Sequence, residues 1–141
     1  MARFQIPQAL VGATLGGITS ANSTVTGEES TSSTSFTGLT TPQAVTLTTG
    51  TKVLIILTAH LFNNTSLQYN RMGVAVSGAT TIAASDGDSM WTYAQAFGRL
   101  SAGIYISGLT AGSNTFTAQF KTTGGTLGVQ LRELTVIDLG S

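Results

Sequence analysis

The sequence predicts an all-β protein: an antiparallel β-sandwich of about eight short strands preceded by an extended N-terminal arm. Three observations predict it. Short runs of Val, Ile, Thr and aromatic residues recur from about Thr34 onward. Clusters of Gly, Asn, Asp and Ser punctuate those runs at turn-like intervals. Thr, Val, Gly and Ser dominate every window long enough to hold a helix, so helix is expected to be nearly absent. Eight antiparallel strands in two sheets suit a jelly roll, with an immunoglobulin-like sandwich as the alternative.

The strands can be placed in order. Ser35 to Leu39 reads as a short first strand, and Ala44 to Thr48 as a second after Pro42. Thr51 to Leu61 carries Val53, Ile55, Leu57, Ala59 and Leu61 on one face. Leu54, Ile56, Thr58 and His60 lie on the other, which predicts a central strand buried on both sides. Met72, Val74 and Val76 alternate with Arg71, Gly73 and Ala75, and Thr80 to Ala84 follows after Gly78. Trp91, Tyr93 and Phe97 share a face in the next run, and Ile104 and Ile106 mark a short strand. Phe116, Ala118 and Phe120 alternate cleanly with Thr115, Thr117, Gln119 and Lys121. The last run, Thr126 to Leu139, changes phase: Val129 and Leu131 share one parity, Leu134 and Val136 the other. A β-bulge near Arg132 and Glu133 would restore the inward face.

Two regions follow from texture. Residues 1–33 form the arm, with apolar side chains over 4–18 (Phe4, Ile6, Leu10, Val11, Leu15, Ile18) and a Ser/Thr-rich tract over 19–33; residues 34–141 form the β domain. Neither helical nor strand periodicity persists in the arm. Its backbone entropy outweighs what its own apolar side chains return on burial. An arm of this kind is expected to be loose alone and ordered in an assembly, by strand addition to a neighbouring sheet edge. Phe4, Ile6, Leu10, Val11, Leu15 and Ile18 are therefore the candidate subunit or shell contacts.

Composition excludes several function classes. The 141 residues include 6 basic and 6 acidic side chains, one histidine and no cysteine. A net charge of zero provides no field for a phosphate backbone, so no nucleic-acid partner is expected. Without cysteine there is no disulfide framework and no thiolate metal site. No apolar run reaches a membrane span, and Arg3 with Pro7 makes a poor signal peptide. Ser and Thr exceed a quarter of the chain while only 9% of residues are charged, so the surface is polar but scarcely ionic.

No catalytic constellation emerges. His60 would have to serve any Ser-His-Asp set, yet it lies in an apolar run with no adjacent acid and no GxSxG elbow. It reads as a packed or interface histidine. Asp86 and Asp88 in SDGDS read first as a turn; calcium would need six to eight oxygens, and the EF-hand pattern is missing. Glu28 and Glu29 are expected in solvent. Trp91, Tyr93 and Phe97 read first as core, with a sugar-binding platform as the alternative. The sequons at Asn22, Asn63 and Asn64 are expected by chance in so Ser/Thr-rich a chain. No enzyme activity and no cofactor are expected.

The segments TSFTGL (34–39), VTLTTGTKVLIILTAHL (45–61), VAVSGATTIAASD (74–86), GLTAGSNTFTAQFKT (108–122) and RELTVIDL (132–139) resemble a β-sandwich domain of tailed-bacteriophage virion proteins. With its arm and small size, the chain is similar to capsid decoration (auxiliary, or cement) proteins of long-tailed, particularly thermophilic, phages. The resemblance implies a non-enzymatic homotrimer on the outer surface of the virion capsid, bracing the major capsid protein. The same sandwich also occurs in phage fibre and tail-tip proteins, which implies an alternative role in binding a host surface glycan or protein.

Overall fold

The computed structural model describes residues 18–93 and 98–141. They form nine strands and, among the described residues, no helix. The strands are β1 (Ser20–Val25), β2 (Glu29–Thr31), β3 (Ala44–Thr49), β4 (Lys52–Asn63), β5 (Tyr69–Gly78), β6 (Ser89–Tyr93), β7 (Arg99–Ser107), β8 (Gly112–Thr122) and β9 (Leu127–Gly140). One sheet has the order β1-β9-β4-β7, with β2 also paired to β9; the other has the order β3-β8-β5-β6. Every pairing is antiparallel. The two sheets pack face to face as a β-sandwich.

Alternation builds the core. From β4 come Val53, Ile55, Leu57, Ala59 and Leu61; from β5, Met72, Val74 and Val76; from β8, Phe116, Ala118 and Phe120. All of these are buried. β4 is central, as expected, with β9 on one side and β7 on the other. Its second face is only half-buried, however, because no further layer of described residues covers it. An apolar run of this kind predicts burial on both faces; here it belongs to a sandwich strand whose outer face is only half-buried.

The phase change in the last strand takes the form of a bulge. Thr58 pairs with Glu133 while His60 pairs with Gln130, so β9 carries one residue more than β4 between those points. Leu131 absorbs the excess at φ 51°, in the left-handed region that non-glycine residues rarely occupy. Leu127 and Val129 before it, and Leu134 and Val136 after it, all face the core.

That phase also turns Arg132 inward, where it is fully buried. Its Nη2 donates to Glu29 Oε2 and to the Thr41 carbonyl, the latter at 2.8 Å, and its guanidinium lies 5.5 Å from the centre of the Phe120 ring. Glu29 Oε1 accepts from the Thr41 N–H at 2.8 Å. Beside this pair, Gln43 Nε2 donates to the carbonyls of Ser23 (2.9 Å) and Arg132 (3.1 Å). Arg132 thus ties β2, β9 and the chain entering β3 into one clamp. Glu29 is a clamp residue and not the solvated carboxylate that its polar neighbours suggested.

Ser20–Val25 and Glu29–Thr31, expected within the arm, are strands of the five-stranded sheet. Ser20 to Val25 pair residue by residue with Ile137 to Arg132, and Glu29 to Thr31 with Val129 to Leu127. Backbone bonds hold these polar strands, so side-chain alternation is shallow. The expected strand at Ser35 to Leu39 reduces to one bridge, Thr37 to Phe120, and Thr80 to Ala84 likewise to Val76–Ile82. Carbonyls of Ser33, Thr37 and Gln43 accept from Thr122, Phe120 and Ala118 and so complete the edge of β8 beyond β3.

The β3–β4 link is constrained at Gly50, where a Cβ would collide with the Gly140 backbone. Gly50→Ala is expected to cost about 1–3 kcal/mol, the range for forced overpacking. Gly38→Ala, where an added Cβ meets nothing within 4 Å, is the control, and urea unfolding checks both.

The clamp gives a pH dependence. Burial pushes the Glu29 carboxyl up, but hydrogen bonds from Thr41 and Arg132, together with the Arg132 charge, hold it below its ordinary value. A carboxyl lowered in the folded state stabilises above its unfolded value and loses that contribution as pH falls through the lowered one. Urea midpoints are expected to drop on acidification below the ordinary glutamate range, less steeply in Glu29→Gln. At neutral pH that variant is expected to lose roughly 3 kcal/mol, the low end for breaking a buried pair, since the Glu29 side chain is 16% exposed.

Candidate functional site

The outer face of the four-stranded sheet carries the described residues' densest aromatic cluster. On β6, Met90 and Thr92 point into the sandwich, which leaves Trp91 and Tyr93 outside at 53% and 47% exposure. They are surface residues, which corrects the core reading of this stripe; Phe97 lies outside the described residues. Register places Arg71 of β5 opposite Trp91, and Tyr69 opposite Tyr93. Tyr69 packs 4.6 Å from Tyr93 at 45° and 5.5 Å from Trp91 at 60°, centroid to centroid. Sequence periodicity missed Tyr69 because it belongs to a different strand.

Arg71 is held among these rings. Its guanidinium lies 5.5 Å from the Tyr69 centroid and 5.8 Å from that of Trp91. Nη1 donates to the Asp86 carbonyl at 3.1 Å and to Ser89 Oγ at 3.2 Å, and Nε lies 3.5 Å from the Asp86 carboxylate. The same carboxylate pairs with Lys121, whose ammonium sits 5.0 Å from the Phe36 ring centre. Phe36 lies over Gly73 of β5, where a Cβ would stand only 2.8 Å from the ring. The hydrogen bond from Lys121 holds the Asp86 carboxyl below its ordinary value; desolvation opposes this, and the charges of Arg71 and Lys121 add to it.

Asp86 therefore anchors two cations, while Asp88 Oδ2 accepts from Ser85 Oγ at 3.4 Å within the turn. Among the described residues no three His, Cys, Asp or Glu side chains gather as a metal would require. The surface that results combines ring faces, phenol and indole donors and a fixed guanidinium. Such a set can stack on the apolar face of a sugar or another planar group while hydrogen-bonding its rim.

The other candidates lie elsewhere. His60 is on the outer face of β4, its Nδ1 2.8 Å from Gln130 Nε2 and its ring 5.2 Å from Phe62. An amide and an aromatic ring are its neighbours, and no acid orients it. A depression of about 280 Å³ is lined by Glu28, Ser30, Phe62, Asn63, Asn64, Thr126 and Gly128, with Glu28 its one titratable group. Asn63 is buried and bonded to Asn70 (2.7 Å) and Thr122 (3.0 Å), so it serves the core. Ile18 precedes β1 and is 81% exposed. Phe4, Ile6, Leu10, Val11 and Leu15 lie outside the described residues.

Trp91 is the only tryptophan in the chain, so its fluorescence reports on this patch directly. Asp86→Asn leaves Arg71 and Lys121 without their shared anion. Iodide quenching of Trp91 is expected to rise and caesium quenching to fall, with 0.5 M salt narrowing the difference; Asp88→Asn is expected to change both less.

No family model matches the chain, and neither does any curated protein.

Proposed function

We propose that this protein is a non-enzymatic virion component that decorates the outer surface of a phage capsid as a homotrimer, its N-terminal arm linking subunits or docking on the shell. The observation that carries the reading is the nesting of strand pairs. β1 and β2 pair with β9, β3 with β8, β4 with β7, and β5 with β6. We read that nesting as one long antiparallel hairpin rolled up in the manner of a jelly roll, with β4–β9 and β5–β8 joining the pairs within each sheet. The likeness of five segments to phage virion sandwiches supports the same reading. So does the exposed Ile18 at the sheet edge, where an arm would leave the domain.

Quantitative mass spectrometry of purified virions tests it. Hundreds of copies per particle, comparable with the major capsid protein, are expected; none would overturn the reading. Removing residues 1–18 is expected to release the protein from the shells. Retention of both shell binding and trimerisation would overturn the role of the arm.

One observation favours a second reading, a fibre or tail-tip module that binds a host surface glycan or protein. Trp91, Tyr93 and Tyr69 are solvent-facing and braced by Arg71, an arrangement that core packing does not require. A handful of copies per virion, with glycan-array or whole-cell binding abolished by Trp91→Ala, would put this reading first.

A further inference from the structure

Five of the six acidic side chains have partners. Glu29 is held by Arg132 and the Thr41 N–H, Glu133 by Arg99, and Asp86 by Arg71 and Lys121. Asp138 accepts from the N–H groups of Gly50 and Gly140, and Asp88 from Ser85. Glu28 is exposed and has neither an ion pair nor a hydrogen bond among the described residues. It is also the one carboxylate that lines the depression of about 280 Å³. The register of the sheet explains that depression. Ser30 of β2, Gly128 of β9 and Phe62 of β4 form one row across three strands, and the middle position has no side chain. Phe62 leans into the vacated place, its ring lying where a Cβ on Gly128 would collide with it. Thr126 and Asn64 close the row beyond, joined by a hydrogen bond from the Thr126 N–H to Asn64 Oδ1 at 2.8 Å.

We infer that this depression receives an arginine side chain of a partner protein, with Glu28 as its counter-charge and the Phe62 ring as its platform. Charge complementarity selects the occupant: the lining holds one negative charge and no positive one. The aromatic ring selects further, since a cation placed over a ring face is attracted to it. A guanidinium suits both features, because its plane can lie on the ring while its fork of N–H groups reaches a carboxylate. The hydroxyls of Ser30 and Thr126 offer acceptors for the N–H groups that remain. Size agrees as well. Pockets for small molecules begin at about 300 Å³, so a depression of 280 Å³ fits the end of one long side chain. The inference is independent of whether the chain serves a shell or a fibre.

Titration of the full chain at low salt, followed by amide chemical shifts in nuclear magnetic resonance, tests the inference. The probe is N-acetyl-arginine amide, and its control is N-acetyl-citrulline amide, which has nearly the same shape and no charge. The arginine probe is expected to move the amides of Ser30, Asn64, Thr126 and Gly128 saturably. Its dissociation constant should be on the order of tens of millimolar, since a single side chain brings one exposed ion pair and one ring contact. The citrulline probe is expected to move them far less, and 0.5 M salt to weaken the arginine probe. Glu28→Gln is expected to weaken it roughly fivefold, the upper range for an exposed ion pair. Because Glu28 is exposed and bonds to no described residue, that variant is expected to keep the wild-type spectrum elsewhere. The absence of a saturable shift in the wild type would overturn the inference. So would equal shifts with citrulline, undiminished binding in Glu28→Gln, or shifts centred on Asp88 instead.

Discussion

The rest of the structure depends on one change of register in the last strand. β9 pairs with β1, β2 and β4, so its geometry is transmitted to most of the five-stranded sheet. A 14-residue strand with its apolar side chains in two phases cannot face one core unless a residue is inserted between them. Leu131 supplies that residue, leaving its own side chain outside while Val129 and Leu134 both reach the interior. The left-handed backbone there costs energy, and the burial of Leu127, Val129, Leu134 and Val136 together offsets it.

The same shift creates an electrostatic obligation. Arg132 occupies an inward position, where an unpaired guanidinium would be severely penalised. Glu29 and the Thr41 carbonyl pair its Nη2, while Nε and Nη1 are buried without a hydrogen-bond partner among the described residues, and the Nη2 contacts fix β2 and the segment leading to β3. A buried pair of this kind adds little net stability over an apolar substitute, but it tolerates only one arrangement of its partners. It specifies where the polar N-terminal strands lie, which their own side chains do not.

The two faces of the sandwich divide the surface. Threonine hydroxyls cover much of the four-stranded sheet, as in the Thr46–Thr115 bond at 2.8 Å, and its far edge carries the rings around Arg71. The opposite face keeps an apolar strip over β4, β7 and β9. Because the faces are on opposite sides of the core, occupation of one leaves the other accessible.

Much of this was legible residue by residue. The strict alternation of Phe116, Ala118 and Phe120 marked β8, the paired apolar parities marked β4, and the phase change near Arg132 marked the bulge. β1 and β2 were not legible, since edge strands rich in Ser and Thr are held by backbone bonds that have no side-chain signature. Nor could periodicity say that Trp91 and Tyr93 face water, because it groups residues by face without saying which face is inside. Met90 and Thr92 took the core positions against β5, and Trp91 and Tyr93 stayed outside with Tyr69 and Arg71. The sequence alone determined an all-β chain with these alternations and one inserted residue. The tertiary structure decided which strands are neighbours and which side of each is inner. Contacts such as Glu29 with Arg132, 103 residues apart, follow from the closing of the sheets and leave no trace in local pattern.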